Sequence, residues 1–440
     1  MGIAQALYTG VTGLSVNADG MSVIANNIAN SNSKGFKRDR AEFEDLLSSD
    51  LSSGAGSAQI GRGSRLRDVK TVHTQGGLKV TDSITDLAIQ GNGFFVVSNP
   101  NTEVQESAGA FFTRTGSLHF DKDGYLADAG GGRIQGYMAD GDGLLSTRLT
   151  DVNIATSNIP PRATNKVNLN VQLDSRLDRI EEEFDINNPV KTSNWSTSFR
   201  VFDSHGRAHQ STVYFRRLDA GEDGISWEYH AVVDSKEVTD PDDGPWKEFG
   251  SGIVRFDRKG QLVSEEAEEA IVNFNNGAFS NQKILFDFGK NIGEEGGNGT
   301  NASVSIASKS NTVFHSQDGY ESGNLKSLNI GLDGKLNGVF TNGIQRTLAA
   351  VALATFENQN GLQKAGRNQF FATLNSGPAK IGMAQTGSRG SLYASSLEES
   401  NVDLAAEFVN MILTQRMFQA NSRSITTTDT MIEEVINLKR

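Results

Sequence analysis

The side chains in this chain that could do chemistry are few and scattered. Histidines stand only at positions 73, 119, 205, 209, 230 and 315, and there is no cysteine. His205 and His209 have the i,i+4 spacing that, on a helix, sets two imidazoles on one face as a metal pair. Here they flank Gly206 in a strand-turn-strand pattern, where that spacing does not align them, so both read as solvated turn residues. Asp121-Lys-Asp123-Gly is open to reading as a calcium loop, but it lacks the third ligand before its glycine and the closing glutamate. Acidic runs at 181–183 and 265–269 read as solvated surface; a glycosidase needs two particular carboxylates at a set separation, and nothing picks out two. No phosphate-binding loop, nucleophile elbow or HExxH motif is present. The zero cysteine count removes disulfides, thiolate metal sites and thiol nucleophiles together. No catalytic, cofactor-binding or metal-ligating residue is assigned, and no cofactor is expected.

Bulk composition points the same way. At 440 residues the chain is long enough for two to four domains. Its 47 glycines exceed the usual ~7 %, while prolines number only seven. Many tight turns with few prolines fit short strands joined by hairpins. The net charge of −12 argues against nucleic acid as a partner, because phosphate contacts need a basic face. Residues 151–310 hold 17 Lys/Arg against 26 Asp/Glu and so carry most of that charge. The middle of the chain is therefore the acidic, well-solvated part. No run of 18 apolar residues exists, so membrane insertion is not expected. The opening MGIAQALYTG has neither a basic n-region nor an apolar h-region, so no cleaved signal peptide is expected. Without a secretory signal, the sequons at Asn194, Asn298 and Asn301 read as chance matches.

Any function must then rest on how the elements assemble. All seven prolines lie between positions 100 and 378, which leaves both ends proline-free. Leu7, Val11, Leu14, Ala18, Met21, Ala25 and Ile28 alternate spacings of four and three, a heptad seam held for three repeats. Gly10, Gly13 and Gly20 interrupt that helix at about 1 kcal/mol each, so it needs a partner to form. The C-terminal segment repeats the seam at Leu404, Phe408, Met411, Gln415, Phe418, Ser422, Ile425, Asp429, Ile432 and Ile436. Ser400 followed by Asp403 suggests a capping box at its start.

Between the ends the texture changes. Residues 31–70 are Ser/Gly-rich and read as a spacer with short extended pieces or a hairpin. Runs such as LAIQGNGFFVV, AFFTRTGSLHF and RTLAAVALATF are short strands closed by glycine turns. Phe120-Asp-Lys-Asp-Gly124 and Phe256-Asp-Arg-Lys-Gly260 place a turn between apolar residues. All three tryptophans (Trp195, Trp227, Trp246) lie in a central block with its own alternating strands. The expected fold is α+β and mostly β, with paired coiled-coil-like terminal helices and two nested, discontinuous β-domains. Its expected divisions are an inner helical domain (1–30 and 401–440), a spacer (31–70 and 391–400), a first β-domain (71–149 and 318–390) and an inserted outer β-domain (150–317).

The stretch Ala25-Asn26-Asn27-Ile-Ala-Asn30-Ser-Asn-Ser33-Lys-Gly35-Phe36-Lys37 resembles the signature of the bacterial flagellar axial family, the rod and hook proteins. Ser33 stands where that signature has threonine. The run from Ser400-Asn-Val-Asp-Leu404 to Phe418-Gln-Ala-Asn421 resembles the matching C-terminal end, and Gln90-Gly-Asn-Gly93-Phe94-Phe95 the start of the family's first β-domain. Length and the tryptophan-bearing insertion resemble the hook branch; the distal rod or another hook-like axial protein is the alternative within the family. A secreted β-rich enzyme or adhesin is the reading from another class. The resemblance implies a non-enzymatic subunit of a helical homopolymer, a curved tube acting as a universal joint between motor and filament. It also implies export by the flagellar type III apparatus to the outside of the cell. The implied neighbours are the distal rod protein, the hook cap protein and the hook–filament junction protein. In such a tube the apolar seam residues Leu7, Val11, Leu14, Met21, Ile28, Leu404, Phe408, Met411, Phe418, Ile425, Ile432 and Ile436 are the expected assembly sites.

Overall fold

The computed structural model describes residues 2–47, 49–53, 56–99, 110–154, 158–221, 224–241, 244–292 and 302–438. The sequons at Asn298 and Asn301 lie outside the described residues. The chain divides into two compact units, one of residues 1–157, 326–339 and 345–440, the other of residues 158–325 and 340–344. The expectation of a mostly β chain with helices at both ends is met.

The first unit opens with helix α1, Gly2–Ala29, and closes with helix α2, Leu404–Leu438. They pack antiparallel: Gly10 faces Ile425, Gly13 faces Asn421 and Gly20 faces Thr414. A Cβ added at Gly13 would lie 2.6 Å from the Asn421 carboxamide, and one at Gly10 2.7 Å from Ile425. The glycines that weaken an isolated helix thus let two backbones come close. After α1, Asp39–Asp45 runs antiparallel to Ser64–Thr71, and Ser49–Ser53 antiparallel to Gly56–Ile60.

The β-body of this unit is organised around Gln345–Thr355, which pairs with Lys335–Phe340, Arg133–Ala139, Phe94–Ser98 and Lys380–Met383. The strand is covered on both faces, which its apolar run AAVALA anticipates. Side-chain alternation sends Ala349, Val351 and Leu353 into one core with Phe95 and Val97. It sends Ala352 and Ala354 into another with Phe94, Val96 and Phe112.

The second unit is a sandwich. Trp195–Phe202, Ala208–Gly221, Gly224–Asp234, Trp246–Asp257 and Leu262–Ala267 form an antiparallel meander. The other sheet is built around Lys166–Asp174 and Gln282–Asp287. Val167, Leu169 and Val171 of that sheet share one core with Phe199, Val213, Trp227 and Val254 of the meander.

One turn recurs through both units. Asp121, Asp128, Asp140, Asp203 and Asp257 each stand three residues before a glycine, at 124, 131, 143, 206 and 260, with φ between 79° and 82°. Each aspartate Oδ1 accepts the backbone N–H groups two and four residues on, at 2.8 to 3.0 Å. The carboxylate replaces turn hydrogen bonds and the glycine takes the left-handed position. Asp121 therefore spends Oδ1 on its own loop, as the hairpin reading expects.

Candidate functional site

The N-terminal motif begins on α1 and runs into the hairpin. The buried Asn27 carboxamide donates to the Asp39 carbonyl and accepts from the Asp39 N–H, both at 2.8 Å. That reciprocal pair fastens the end of the helix to the first strand. Asn30 turns back, donating to the carbonyl and side chain of Asn26, while Ser33 donates to Asn30 at 3.0 Å. Gly35 adopts φ +67°, and a Cβ there would stand 2.8 Å from the backbone at Arg114 and Thr115. Its N–H donates to the Glu398 carbonyl at 2.8 Å. Phe36 is buried beside it, whereas Ala25 and Asn26 are exposed.

Lys37 is the centre of the motif. Its side chain is fully buried, and Nζ lies 2.5 Å from Oε1 of Glu398, also fully buried. Nζ donates as well to the Thr74 carbonyl at 2.8 Å. The other carboxylate oxygen of Glu398 faces Arg114 at 3.4 Å, and Oε1 also accepts from the Gly76 N–H. Arg114 donates to the Gly91 carbonyl and lies over the Phe94 ring, 5.2 Å from its centroid. Two cations thus share one anion in a dry site. Burial lowers both the Lys37 ammonium and the Arg114 guanidinium from their usual values, against the pull of Glu398. His73 packs on Phe94 and Phe370 beside them, and burial together with the Arg114 and Lys37 charges pushes it down to about 4. The imidazole is neutral at pH 7, which suits a site already rich in positive charge.

The irregular stretch between Glu398 and α2 completes the junction. Asn401 accepts from Arg38 N at 2.7 Å and donates to the carbonyls of Val72 and Thr74. Asp403, not Ser400, caps α2: its carboxylate accepts from the N–H groups of Ala405 and Ala406. Ser400 accepts from Val402 instead, so the capping-box reading places the cap three residues early.

Above the junction the two helices meet along a line that on α1 is not the apolar seam, although on α2 it includes the seam residue Ile425. On α1 the facing line is Gly10, Gly13, Asn17, Gly20, Ile24 and Asn27, one position back from Val11, Leu14, Ala18, Met21, Ala25 and Ile28. A one-position offset is a rotation of about 100° on a helix. Val11 consequently stays 53 % exposed, while Leu7, Leu14, Met21 and Ile28 are half-buried. On α2 the buried residues are polar: Glu407, Thr414 and Thr428. Met411, Ile425 and Ile432 are half-buried, but Leu404, Phe408, Phe418 and Ile436 are exposed, together with Val409, Ile412 and Val435. A surface helix ordinarily buries its apolar stripe and exposes its polar one. Here the order is inverted.

The histidine pair of the sequence is corrected by the structure. His205 is exposed, but His209 is fully buried, because the strand from Ala208 turns alternate residues inward and position 209 is one of them. Its ring bridges Asp203 and Glu237 on opposite sides, which suits no metal. Among the described residues no group of three or more His, Asp or Glu is arranged to hold a metal ion, and no helix is long and apolar enough to cross a membrane. Glu398 and Arg114 are the functional residues that sequence reasoning passed over. Lys37 is followed by the charged run Arg38-Asp-Arg40-Ala-Glu42, so no signal beside it pointed to a buried partner.

Comparisons with known proteins agree along the chain. Residues 7–37 match the family described as flagella basal body rod protein, and residues 88–174 the flagellar hook protein FlgE/F/G D1 domain. Residues 168–320 match the flagellar basal body protein FlaE D2 domain, and residues 393–438 the C-terminal region of flagellar basal body rod FlgEFG proteins. The flagellar hook protein FlgE of Treponema pallidum is 35 % identical over 99 % of this chain and 100 % of that one. That of Borreliella burgdorferi is 32 % identical over 99 % of each. Among solved structures, the flagellar hook protein FlgE2 of Helicobacter pylori aligns with a TM-score of 0.50 at 17 % identity, covering 73 % of this chain and 100 % of that one.

Two outcomes follow from the junction. Lys37→Met leaves Glu398 buried with Arg114 alone and should lower the stability of the first unit by about 3–5 kcal/mol, read by calorimetry. Adding Glu398→Gln should deepen that loss, because it takes the counter-ion from buried Arg114. The folded His73 value lies below the unfolded 6.5, so its contribution is present above pH 6.5 and is lost as pH falls towards 4. His73→Phe should flatten that acid limb by roughly 3 kcal/mol.

Proposed function

The chain belongs to the flagellar hook protein family, and on that premise we propose that its copies join through their terminal helices to form the tube of the hook. It is a structural subunit of the flagellar hook. The observation that carries the assembly reading is the inverted order of α2, which buries Glu407, Thr414 and Thr428 against its own chain and turns Phe408, Ile412 and Val435 outward. A contiguous exposed apolar face on a helix is the mark of an interaction surface. The outward residues of α1, Tyr8 and Val11, extend the same kind of surface.

In this reading the glycine line is spent within one copy and the apolar seam is kept for the next. The helical pair forms the inner wall, and residues 150–317 form an outer domain whose acidic surface slides against its neighbours. Exposed ion pairs are worth only ~0–1 kcal/mol each, so such contacts can break and re-form as the tube rotates. The hook then works as a universal joint, passing torque to the filament while the seams stay fixed. Its neighbours would be the distal rod, hook cap and hook–filament junction proteins. Its place is the flagellum outside the cell, reached through the type III export apparatus without a cleaved signal.

Val11→Asp and Phe408→Asp should leave the monomer folded by circular dichroism, because both side chains point to solvent in one copy. Each should raise the critical concentration for polymerisation by about a hundredfold, the equivalent of the ~3 kcal/mol lost when an apolar contact is replaced by a charge. Polymerisation at the unmodified concentration by both variants would rule this seam out.

A further inference from the structure

Two buried histidines in the second unit play no part in the assembly reading, and their surroundings are alike. His209 Nε2 lies 3.0 Å from Asp203 Oδ2, and its Nδ1 lies 2.8 Å from Glu237 Oε2. The ring stacks on Phe274 with centroids 3.7 Å apart and planes at 13°. His230 Nδ1 lies 2.7 Å from Glu248 Oε1, and its Nε2 forms an ion pair with Glu228 Oε2 at 3.4 Å. That ring stacks on Phe184 at 3.9 Å and 4°.

A neutral imidazole has one N–H and one bare lone pair. At His230 the lone pair would face a carboxylate oxygen. Only the imidazolium, hydrogen-bonded to Glu248 and ion-paired with Glu228, meets both flanking anions, and the flat contact with Phe184 favours the cation again. Around His209, the remaining oxygens are held by other groups. Asp203 also accepts from the N–H groups of His205 and Arg207 and from the Asn276 carboxamide, and Arg207 stands 3.8 Å from Glu237. Around His230, Arg216 pairs with Glu228 at 2.7 Å, and Tyr214 touches the far side of Phe184.

Both phenylalanines come from outside the meander. Phe184 belongs to the irregular stretch before Trp195–Phe202, and Phe274 follows Ala270–Val272. Glu237 ends the short 3-10 turn Ser235–Glu237. At His230 the two carboxylates stand on strands of the meander, and the stacked Phe184 ring is what brings the outside stretch onto them. We infer that His230 is an imidazolium clip that fastens the stretch carrying Phe184 to the meander, so that the second unit is tight at and below neutral pH and loosens as pH rises above it. Burial alone would lower His230, but the hydrogen bonds and charges of Glu228 and Glu248 outweigh it and hold the group above its usual value. A folded value above the unfolded one gives stability that is complete below the unfolded value and lost as pH rises through the folded one.

The three tryptophans all lie in this unit, so their fluorescence reports on it in the full chain. Urea unfolding of the unpolymerised chain, followed by that signal, should show a midpoint that falls as pH rises above about 6.5, with the folding constant dropping ~tenfold for each pKa unit separating the two states. The variant His230→Gln should lack this alkaline slope. A flat profile in the unmodified chain, or an equal slope in the variant, would overturn the inference. If the variant does not fold, nitrogen NMR of the unmodified chain labelled in histidine decides. His230, identified by elimination with variants of the other five histidines, should be protonated on both nitrogens at neutral pH. A singly protonated ring at position 230 would refute the clip.

Discussion

The rest of the first unit hangs on one buried carboxylate. Glu398 takes Lys37 on one oxygen and Arg114 on the other, and thereby ties the strand leading into α2, the loop leaving α1 and the β-body at a single point. Charges this deep are costly to bring in from water, and their value lies in requiring partners at set positions. The hydrogen bonds of Gly35 to the Glu398 carbonyl and of Asn401 to Arg38, Val72 and Thr74 close the same knot. Once the two chain ends are pinned there, the helices that leave the knot have little freedom in register. Gly10 must meet Ile425, and Gly20 must meet Thr414.

That register has a consequence for assembly. Because α1 approaches through its glycines, most of the larger apolar side chains of the two helices, Ile425 excepted, are left on other faces. A helix pair that satisfied itself with its apolar seam would be a more stable monomer and a poorer building block. The polar residues on the inner line are satisfied locally, Thr414 and Thr428 donating to carbonyls one turn back at 2.8 and 2.7 Å. Burying them is cheap, and the larger apolar side chains of α2 stay exposed in one copy.

The parts of this architecture legible in the sequence are those set by short-range pattern. The helices follow from sustained three-four spacing, and the strand Gln345–Thr355 from an apolar run too short for a helix. The Asp-x-x-Gly turns carry their own mechanism, although only two of the five stand out by eye. What could not be read depends on residues far apart in the chain. Nothing near Lys37 announces Glu398, 361 positions away, or that Arg114 would share it. The intrachain line and the apolar seam differ by one residue, and periodicity alone does not say which of two adjacent stripes faces the partner in the same chain. His209 was hidden for a related reason: an i,i+4 pair read as turn residues breaks the strand phase that carries position 209 inward.

The central claim is that the apolar seam is open in one copy and covered in the polymer. The absence of cysteine makes this directly measurable, since Val11→Cys introduces the chain's single thiol. Its rate of reaction with a soluble maleimide should be high in the monomer and fall at least tenfold in assembled tubes, while Val190→Cys, exposed in the second unit, serves as the reference. Equal reactivity of position 11 in monomer and tube would contradict the account.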